Sequence, residues 1–151
     1  ESGLHGAKIA KECGCDILMG TVFFDSINQF CKENNMKYMP FVGQITNRPS
    51  ILEGSIEDMI SEAKEYLAKG VYGFDLLGYR YTGDPVKLNN AFVQAIEAPV
   101  CLAGSVDSYE RLDEVIEANP WAFTVGSAFF DEKFGTDFHK QINNVCNYME
   151  K

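Results

Sequence analysis

The sequence has few basic residues and no long apolar run, and both shortages narrow the possible functions. It contains 13 Lys and Arg against 22 Asp and Glu, which gives a formal net charge of −9. This balance argues against nucleic acid or an anionic membrane as the main partner, because both are negatively charged. No apolar run reaches the roughly 18 residues that a membrane-spanning helix needs, and no signal peptide is visible. We therefore expect a cytoplasmic protein.

Cysteine and histidine are also too few and too scattered for a structural site. The five cysteines lack the short, regular spacings of a disulfide framework. Cys13 and Cys15 have no second cysteine pair to complete a zinc site, and His5 and His139 are the only histidines. We expect reduced thiols, no metal site and no cofactor.

Common catalytic signatures are missing as well. The sequence contains no G-x-S-x-G, no nucleotide-binding G-x-G-x-x-G and no P-loop. What it does contain is 151 residues with 46% hydrophobic and 23% charged side chains. That composition is typical of a globular protein, and we expect residues 1–151 to form a single α/β domain.

Five apolar segments, each followed by a segment with helical periodicity, predict a parallel sheet. They begin near Asp16, Lys37, Val71, Pro99 and Trp121. Repeated βα units with right-handed crossovers give parallel strands. Two architectures fit: a five-stranded doubly wound sheet, or the C-terminal five units of a TIM (βα)8 barrel, which the glycine-containing strand ends favour.

The first residues bear on how complete the barrel is. The sequence starts with Glu1 rather than Met, within an expected helix over residues 3–12. We expect a fragment or a processed chain, with about three βα units of the barrel lying outside it. Five isolated units would expose two strand edges, so the expected macromolecular partner is a second copy or the remaining part of the barrel.

Several local signals predict helix starts and one long loop. Cap signatures occur at Asp25 or Ser26, at Ser55 with Asp58, at Asp84 with Pro85, and at Asp107 with Glu110. In the last helix, the spacing predicts that Phe138, Ile142, Val145 and Met149 are buried. The polar residues 43–54 predict a loop, which is either a lid or binding loop or a plain surface excursion.

Two strand ends carry the clearest functional signal. Gly104 and Ser105 follow one strand, and Gly126 and Ser127 follow the next. Glycine lets the backbone approach a phosphate, serine adds a hydroxyl, and a following helix offers free N–H groups. The alternative is that small residues merely allow close packing.

The carboxyl ends of the other strands supply further candidates, because ligands of βα folds bind at that face. Arg80 can clamp a phosphate or carboxylate, or it can stack on a flanking tyrosine. Thr21 and Gln44 are further phosphate-binding candidates. Asp75 lies among apolar residues; it is either a general acid or base with a raised pKa, or a buried carboxylate held by hydrogen bonds.

Three segments carry a family resemblance: residues 73–83 (GFDLLGYRYTG), 98–106 (APVCLAGSV) and 122–128 (AFTVGSA). They resemble the last strands of the ribulose-phosphate-binding TIM barrels, and are most similar to the N-acetylmannosamine-6-phosphate 2-epimerase family. The resemblance implies a sugar-phosphate ligand held by the two glycine-serine pairs and isomerase, epimerase or aldolase-type chemistry. The family's catalytic glutamate precedes the glycine of the seventh strand, where this chain has Ala103. That departure motivates the alternative of a non-catalytic phosphometabolite sensor or interaction domain.

Overall fold

The computed structural model describes residues 2–150 and consists of parallel strands with helices along one side. The parallel strands are β1 (Ile17–Val22), β2 (Lys37–Phe41), β5 (Phe74–Leu76), β6 (Val100–Leu102) and β7 (Ala122–Phe123). The strands of a separate hairpin are β3 (Gln44–Thr46) and β4 (Ile51–Glu53). The helices are α1 (Ser2–Glu12), α2 (Asp25–Glu33), α3 (Ile56–Ala68), α4 (Pro85–Ala95), α5 (Tyr109–Ala118), α6 (Ser127–Phe130) and α7 (Phe138–Met149).

The order of the parallel strands distinguishes the two predicted architectures. β1 pairs with β2, and β5, β6 and β7 pair in that order, all in parallel. The Tyr72 N–H donates to the Tyr38 carbonyl at 2.9 Å, which places β2 beside β5. The strands therefore follow one another around an arc in chain order. A barrel requires this order, whereas a doubly wound sheet reverses its strand order at a switch point.

Side-chain alternation along β5 separates a helix-facing side from an interior side. Phe74 packs edge-to-face on Phe92 of α4, with ring centroids 5.8 Å apart. Asp75 lies between Phe74 and Leu76 and so points to the opposite, interior side. In the parallel register, Asp75 is paired with Cys101 of β6. The helices α3, α4 and α5 pack next to one another along the helix-facing side.

Two predicted helix caps are confirmed. The Ser55 hydroxyl accepts a hydrogen bond from the Asp58 N–H at 3.1 Å at the start of α3. The Asp84 carboxylate accepts from the Lys87 N–H at 3.0 Å, with Pro85 as the first residue of α4. Both helices therefore begin where a short polar side chain satisfies a free backbone donor.

The other two predicted caps are wrong. Phe24 occupies the cap position of α2, and Asp25 instead forms an ion pair with Lys69 at 3.0 Å. Ser108 caps α5 by accepting from the Arg111 N–H at 3.3 Å. Asp107 is drawn into an ion pair with the Arg111 side chain at 2.8 Å. In both places a cation competes for the carboxylate that the local sequence offers as a cap.

The prediction that residues 43–54 form an irregular loop is also wrong. β3 and β4 pair antiparallel across this segment, and Ile45 is paired with Leu52. Leu52 is fully buried, which anchors the hairpin in the apolar core. The turn-forming residues of this polar segment mark the hairpin tip rather than an unstructured loop.

The face that α7 buries differs from the predicted one. Phe138 and Ile142 are 49% and 38% exposed, whereas Val145 is buried. Gln141 takes the buried position. Its side-chain oxygen accepts from the Phe134 N–H at 3.1 Å, and its side-chain N–H donates to the Phe129 carbonyl at 2.8 Å. These hydrogen bonds satisfy the buried amide and rotate the helix relative to its apolar stripe. No helix within residues 2–150 is long and apolar enough to cross a membrane.

Candidate active site

The two glycine-serine strand ends and Arg80 come together at one pocket. A pocket of about 200 Å³, which we call the Arg80 pocket, is lined by Arg80, by Gly104 and Ser105, and by Gly126 and Ser127. These residues come from the ends of three adjacent strands, β5, β6 and β7. Five of the seven predicted phosphate-binding residues therefore share one surface, at the carboxyl edge of the sheet.

The backbone at the end of β6 is shaped by a close approach to Arg80. Gly104 has φ +82°, and a Cβ added there would lie 3.1 Å from Cγ, Cδ and Nε of Arg80. Ser105 also has a positive φ of 59°, which is uncommon for a residue with a side chain. Such conformations persist only when their surroundings hold them in place, and they are frequent at ligand sites.

Arg80 offers an uncompensated positive charge to this pocket. Within residues 2–150, the ion pairs are Lys69 with Asp25 and Arg111 with Asp107, so no carboxylate pairs with Arg80. The flanking tyrosines are engaged elsewhere: the Tyr81 hydroxyl donates to the Gly54 carbonyl at 2.8 Å. The planar guanidinium is therefore available for paired hydrogen bonds to a phosphate or a carboxylate.

Arg111 is a functional candidate that the sequence did not reveal. Its guanidinium donates to the Ser105 carbonyl and to the Asp107 carboxylate, and lies 5.1 Å from the ring centroid of Tyr79. The Tyr79 hydroxyl in turn donates to the Arg111 carbonyl at 3.2 Å. Arg111 thereby holds the Ser105 segment in place. The i,i+4 spacing of Asp107 and Arg111 was a signal for their ion pair, whereas the contact with Tyr79 is defined only once α5 packs beside the end of β5.

Two carboxylates also border the pocket and oppose an anionic ligand. Asp107 is largely neutralised by Arg111, at 2.8 Å. Asp131 is exposed at the rim and has no ion pair within residues 2–150. The expected helix N-termini contribute little, because α5 begins only at Tyr109 and α6 is a single turn. The donors that this pocket offers to an anion are therefore side chains and backbone N–H groups at the strand ends rather than helix N-termini.

Asp75 lies in the interior of the arc and outside the pocket lining. It is 6% exposed, and burial raises its pKa to about 6. The Gly20 N–H donates to Oδ2 at 3.0 Å, and Oδ1 has no hydrogen-bond partner within residues 2–150. The β1–β2 pairing is irregular between Met19 and Val22, and the positive φ of Gly20 (80°) turns its N–H toward Asp75. Asp75 therefore combines a feature of each sequence interpretation: a raised pKa, as for a general acid or base, and a hydrogen bond that holds the buried carboxylate.

Cys101, the register partner of Asp75, is also buried at the interior face. Burial and the neighbouring carboxylate raise its pKa to about 11. The thiol therefore stays protonated near neutral pH and is a poor nucleophile. Within residues 2–150, no group of three His, Cys, Asp or Glu side chains could hold a metal ion.

The remaining two phosphate-binding candidates lie elsewhere. Gln44 lines a different pocket, at the base of the hairpin, together with Glu53, Asp58 and Glu62. These carboxylates make that pocket unsuited to an anion. The Thr21 hydroxyl shares a 2.9 Å hydrogen bond with the Tyr38 hydroxyl. The structure therefore does not bring Thr21 or Gln44 into the Arg80 pocket.

The hairpin reaches the same region from the other side. A second cavity of about 440 Å³ is lined by residues 47–51 at the hairpin tip and by Arg80 and Ser105. The segment that the sequence marked as a candidate binding loop thus adjoins the Arg80 pocket.

Comparison with known proteins supports the fold assignment. No protein-family profile and no curated protein matches the chain. Solved structures do match. The KDPGal aldolase structure is 12% identical with a TM-score of 0.64, and the match covers 97% of this chain and 63% of that one. The N-acetylmannosamine-6-phosphate 2-epimerase from Clostridium perfringens is 12% identical with a TM-score of 0.59, covering 93% of this chain and 59% of that one.

A larger enzyme shares the fold as well. The carboxyl transferase domain of Rhizobium etli pyruvate carboxylase is 15% identical with a TM-score of 0.60, covering 98% of this chain and 31% of that one. The chain thus spans less than two thirds of each of these three structures. The sequential parallel strands and these matches together assign the chain to the TIM-barrel fold, as a set of consecutive βα units.

Proposed function

We propose that this chain binds a phosphorylated sugar or a similar small phosphorylated metabolite, with the phosphate in the Arg80 pocket. The observation that supports this proposal is the convergence of an unpaired guanidinium with two glycine-serine strand ends on one pocket of about 200 Å³. The guanidinium provides charge and two parallel donors, and the serine hydroxyls provide further donors.

The chemistry that best suits the site is proton transfer next to a carbonyl, as in isomerases, epimerases and aldolase-type enzymes. Asp75 is the proposed acid or base, because a carboxyl group with a pKa of about 6 can both hold and release a proton near neutral pH. Asp75 lies in the interior of the arc on β5, the strand whose carboxyl end leads to Arg80. The similarity to aldolase and epimerase folds is consistent with this reaction class.

The binding proposal is tested by titrating the 151-residue chain with glucose 6-phosphate and ribulose 5-phosphate in a calorimeter. Arg80→Gln should lower the affinity roughly 10- to 100-fold, since charge-assisted hydrogen bonds contribute about 1.5–3 kcal/mol. Lys64→Gln removes an equal charge from an exposed position on α3 and serves as the control. Equal affinity of Arg80→Gln and wild type would contradict the proposal, as would no binding of either ester at millimolar concentration.

A non-catalytic sensor is the second candidate function, and Ala103 favours it. Ala103 is buried directly before Gly104, where the resembling epimerase family has its catalytic acid. A sensor would bind phosphate esters without converting them. Turnover of a bound ester that is lost in Asp75→Asn would support the enzyme, whereas tight binding with no turnover would support the sensor.

A further inference from the structure

The cavity between the hairpin tip and Arg80 is positively charged, which is unusual in this acidic protein. The chain has only three arginines and a formal net charge of −9. Arg111 is paired with Asp107, while Arg48 and Arg80 both line this cavity and neither has an ion pair within residues 2–150. Of the residues that the structure describes, no Asp or Glu lines it. Two unpaired guanidinium groups thus share a surface free of carboxylates.

The base of the hairpin is held beside Arg80 by a β-bridge and hydrogen bonds. Leu52 of β4 forms a parallel bridge with Tyr81, the residue next to Arg80, and its carbonyl accepts from the Thr82 N–H at 3.0 Å. The Tyr81 hydroxyl also donates to the Gly54 carbonyl at 2.8 Å. These bonds fix the base of the hairpin to the end of β5. The tip therefore belongs to a segment that is anchored beside Arg80, which lowers the entropic cost of recruiting a binding group from it.

The two adjoining cavities suit different parts of one ligand. The pocket of about 200 Å³ holds the glycine-serine strand ends, and the cavity of about 440 Å³ extends from the shared residues Arg80 and Ser105 to Arg48. A phosphate in the first would leave the body of the ligand in the second. Its far end would then meet the Arg48 guanidinium, whose planar fork matches both carboxylate and phosphate oxygens.

We propose that Arg48 binds a second anionic group of the ligand, so that the site selects phosphorylated sugar acids or sugar bisphosphates over sugar monophosphates. This inference rests on the proposed function and specifies its substrate class. It makes Arg48 a specificity-determining residue: a neutral hydroxyl at the same end of the ligand would leave the charge of this guanidinium uncompensated.

Matched ligand pairs test the inference. We would titrate the 151-residue chain with glucose 6-phosphate against 6-phosphogluconate, and with fructose 6-phosphate against fructose 1,6-bisphosphate. In each pair the second ligand should bind about tenfold more tightly or better, from one added charge-assisted contact at a partly exposed site. The two pairs distinguish a carboxylate from a phosphate as the second group.

The variants separate a specific contact from general electrostatics. Arg48→Gln should abolish the preference, so that the two members of each ligand pair bind with affinities within about twofold of one another, while Arg80 still holds the phosphate. Arg48→Lys keeps the positive charge but lacks the paired donors of the planar guanidinium, so it should retain part of the preference. Lys64→Gln, with the same change in net charge, should keep all of it.

Three results would overturn the inference, and the first two are distinguishable from failure of the proposed function. If Arg80→Gln weakens monophosphate binding but wild type shows no preference within either pair, the phosphate site stands and the role of Arg48 is refuted. If Arg48→Gln weakens all four ligands equally, Arg48 acts only through general charge. If no ligand binds wild type, the proposed function fails and this inference fails with it.

Discussion

Replacing Asp75 with Asn tests whether burial controls the protonation of this carboxyl group. Asp75 is 6% exposed, and its pKa is raised from 3.8 to about 6. Asn has nearly the same shape, and its side-chain oxygen can still accept from the Gly20 N–H, which is 3.0 Å from Oδ2 in the wild type. The substitution therefore removes the titration with little change in packing.

The direction in which pH changes the stability follows from the raised pKa of Asp75. The folded protein holds this proton more tightly than the unfolded chain does, so Asp75 contributes most to stability below pH 3.8 and loses that contribution as the pH rises through about 6. The difference amounts to about 3 kcal/mol, at about 1.4 kcal/mol per pH unit. Wild type should thus lose about 3 kcal/mol relative to Asp75→Asn between about pH 3 and about pH 7.

The assay is urea unfolding followed by circular dichroism at closely spaced pH values. The quantity compared is the change with pH of the free energy of unfolding, because a buried Asn amide can impose a constant cost that is independent of pH. Glu117→Gln, which removes an exposed carboxylate from α5, controls for net charge. A difference between wild type and Asp75→Asn that does not change with pH would refute the argument from burial.

Two further substitutions examine the Arg80 pocket. Gly104→Ala should destabilise the fold by about 1–2 kcal/mol in urea unfolding, because it places a Cβ at φ +82°. It should also weaken phosphate-ester binding in calorimetry, since that Cβ would lie 3.1 Å from the Arg80 side chain; unchanged affinity would mean that the position of Arg80 does not matter. Asp131→Asn removes an exposed carboxylate from the pocket rim and should tighten binding of the same ester roughly two- to fivefold at low salt, with the gain falling as salt is added. Weaker binding by Asp131→Asn would indicate that this carboxylate contacts the ligand directly.

Local cap signals were reliable where no cation competes for the capping side chain. Ser55 and Asp84 cap their helices as predicted, because the partner N–H lies three residues further along the same chain. Asp25 and Asp107 carry the same kind of signal, yet Lys69 and Arg111 bind them instead. Lys69 is distant in the sequence, and competition from such a cation is decided by packing.

The candidate binding residues were also predicted only in part. The rule that ligands bind at strand ends correctly grouped Arg80 with Gly104 and Gly126, which lie on adjacent strands. It also selected Thr21 and Gln44, which lie in other surroundings. The rule gives the edge of the sheet on which a residue lies, but it says nothing of which way the side chain turns there.

The sequence by itself determined the βα repeat, the acidic charge and the glycine-serine strand ends, because these depend on residue type and spacing along the chain. Tertiary structure alone decided the sequential order of the strands, the hairpin beside Arg80 and the raised pKa of Asp75. That pKa depends on burial by parts of the chain that lie far from Asp75 in sequence, such as β6 with Cys101, and the hydrogen bond from the Gly20 N–H only partly offsets this effect. The pairing of Arg48 and Arg80 at one cavity likewise exists only after the hairpin docks on the end of β5.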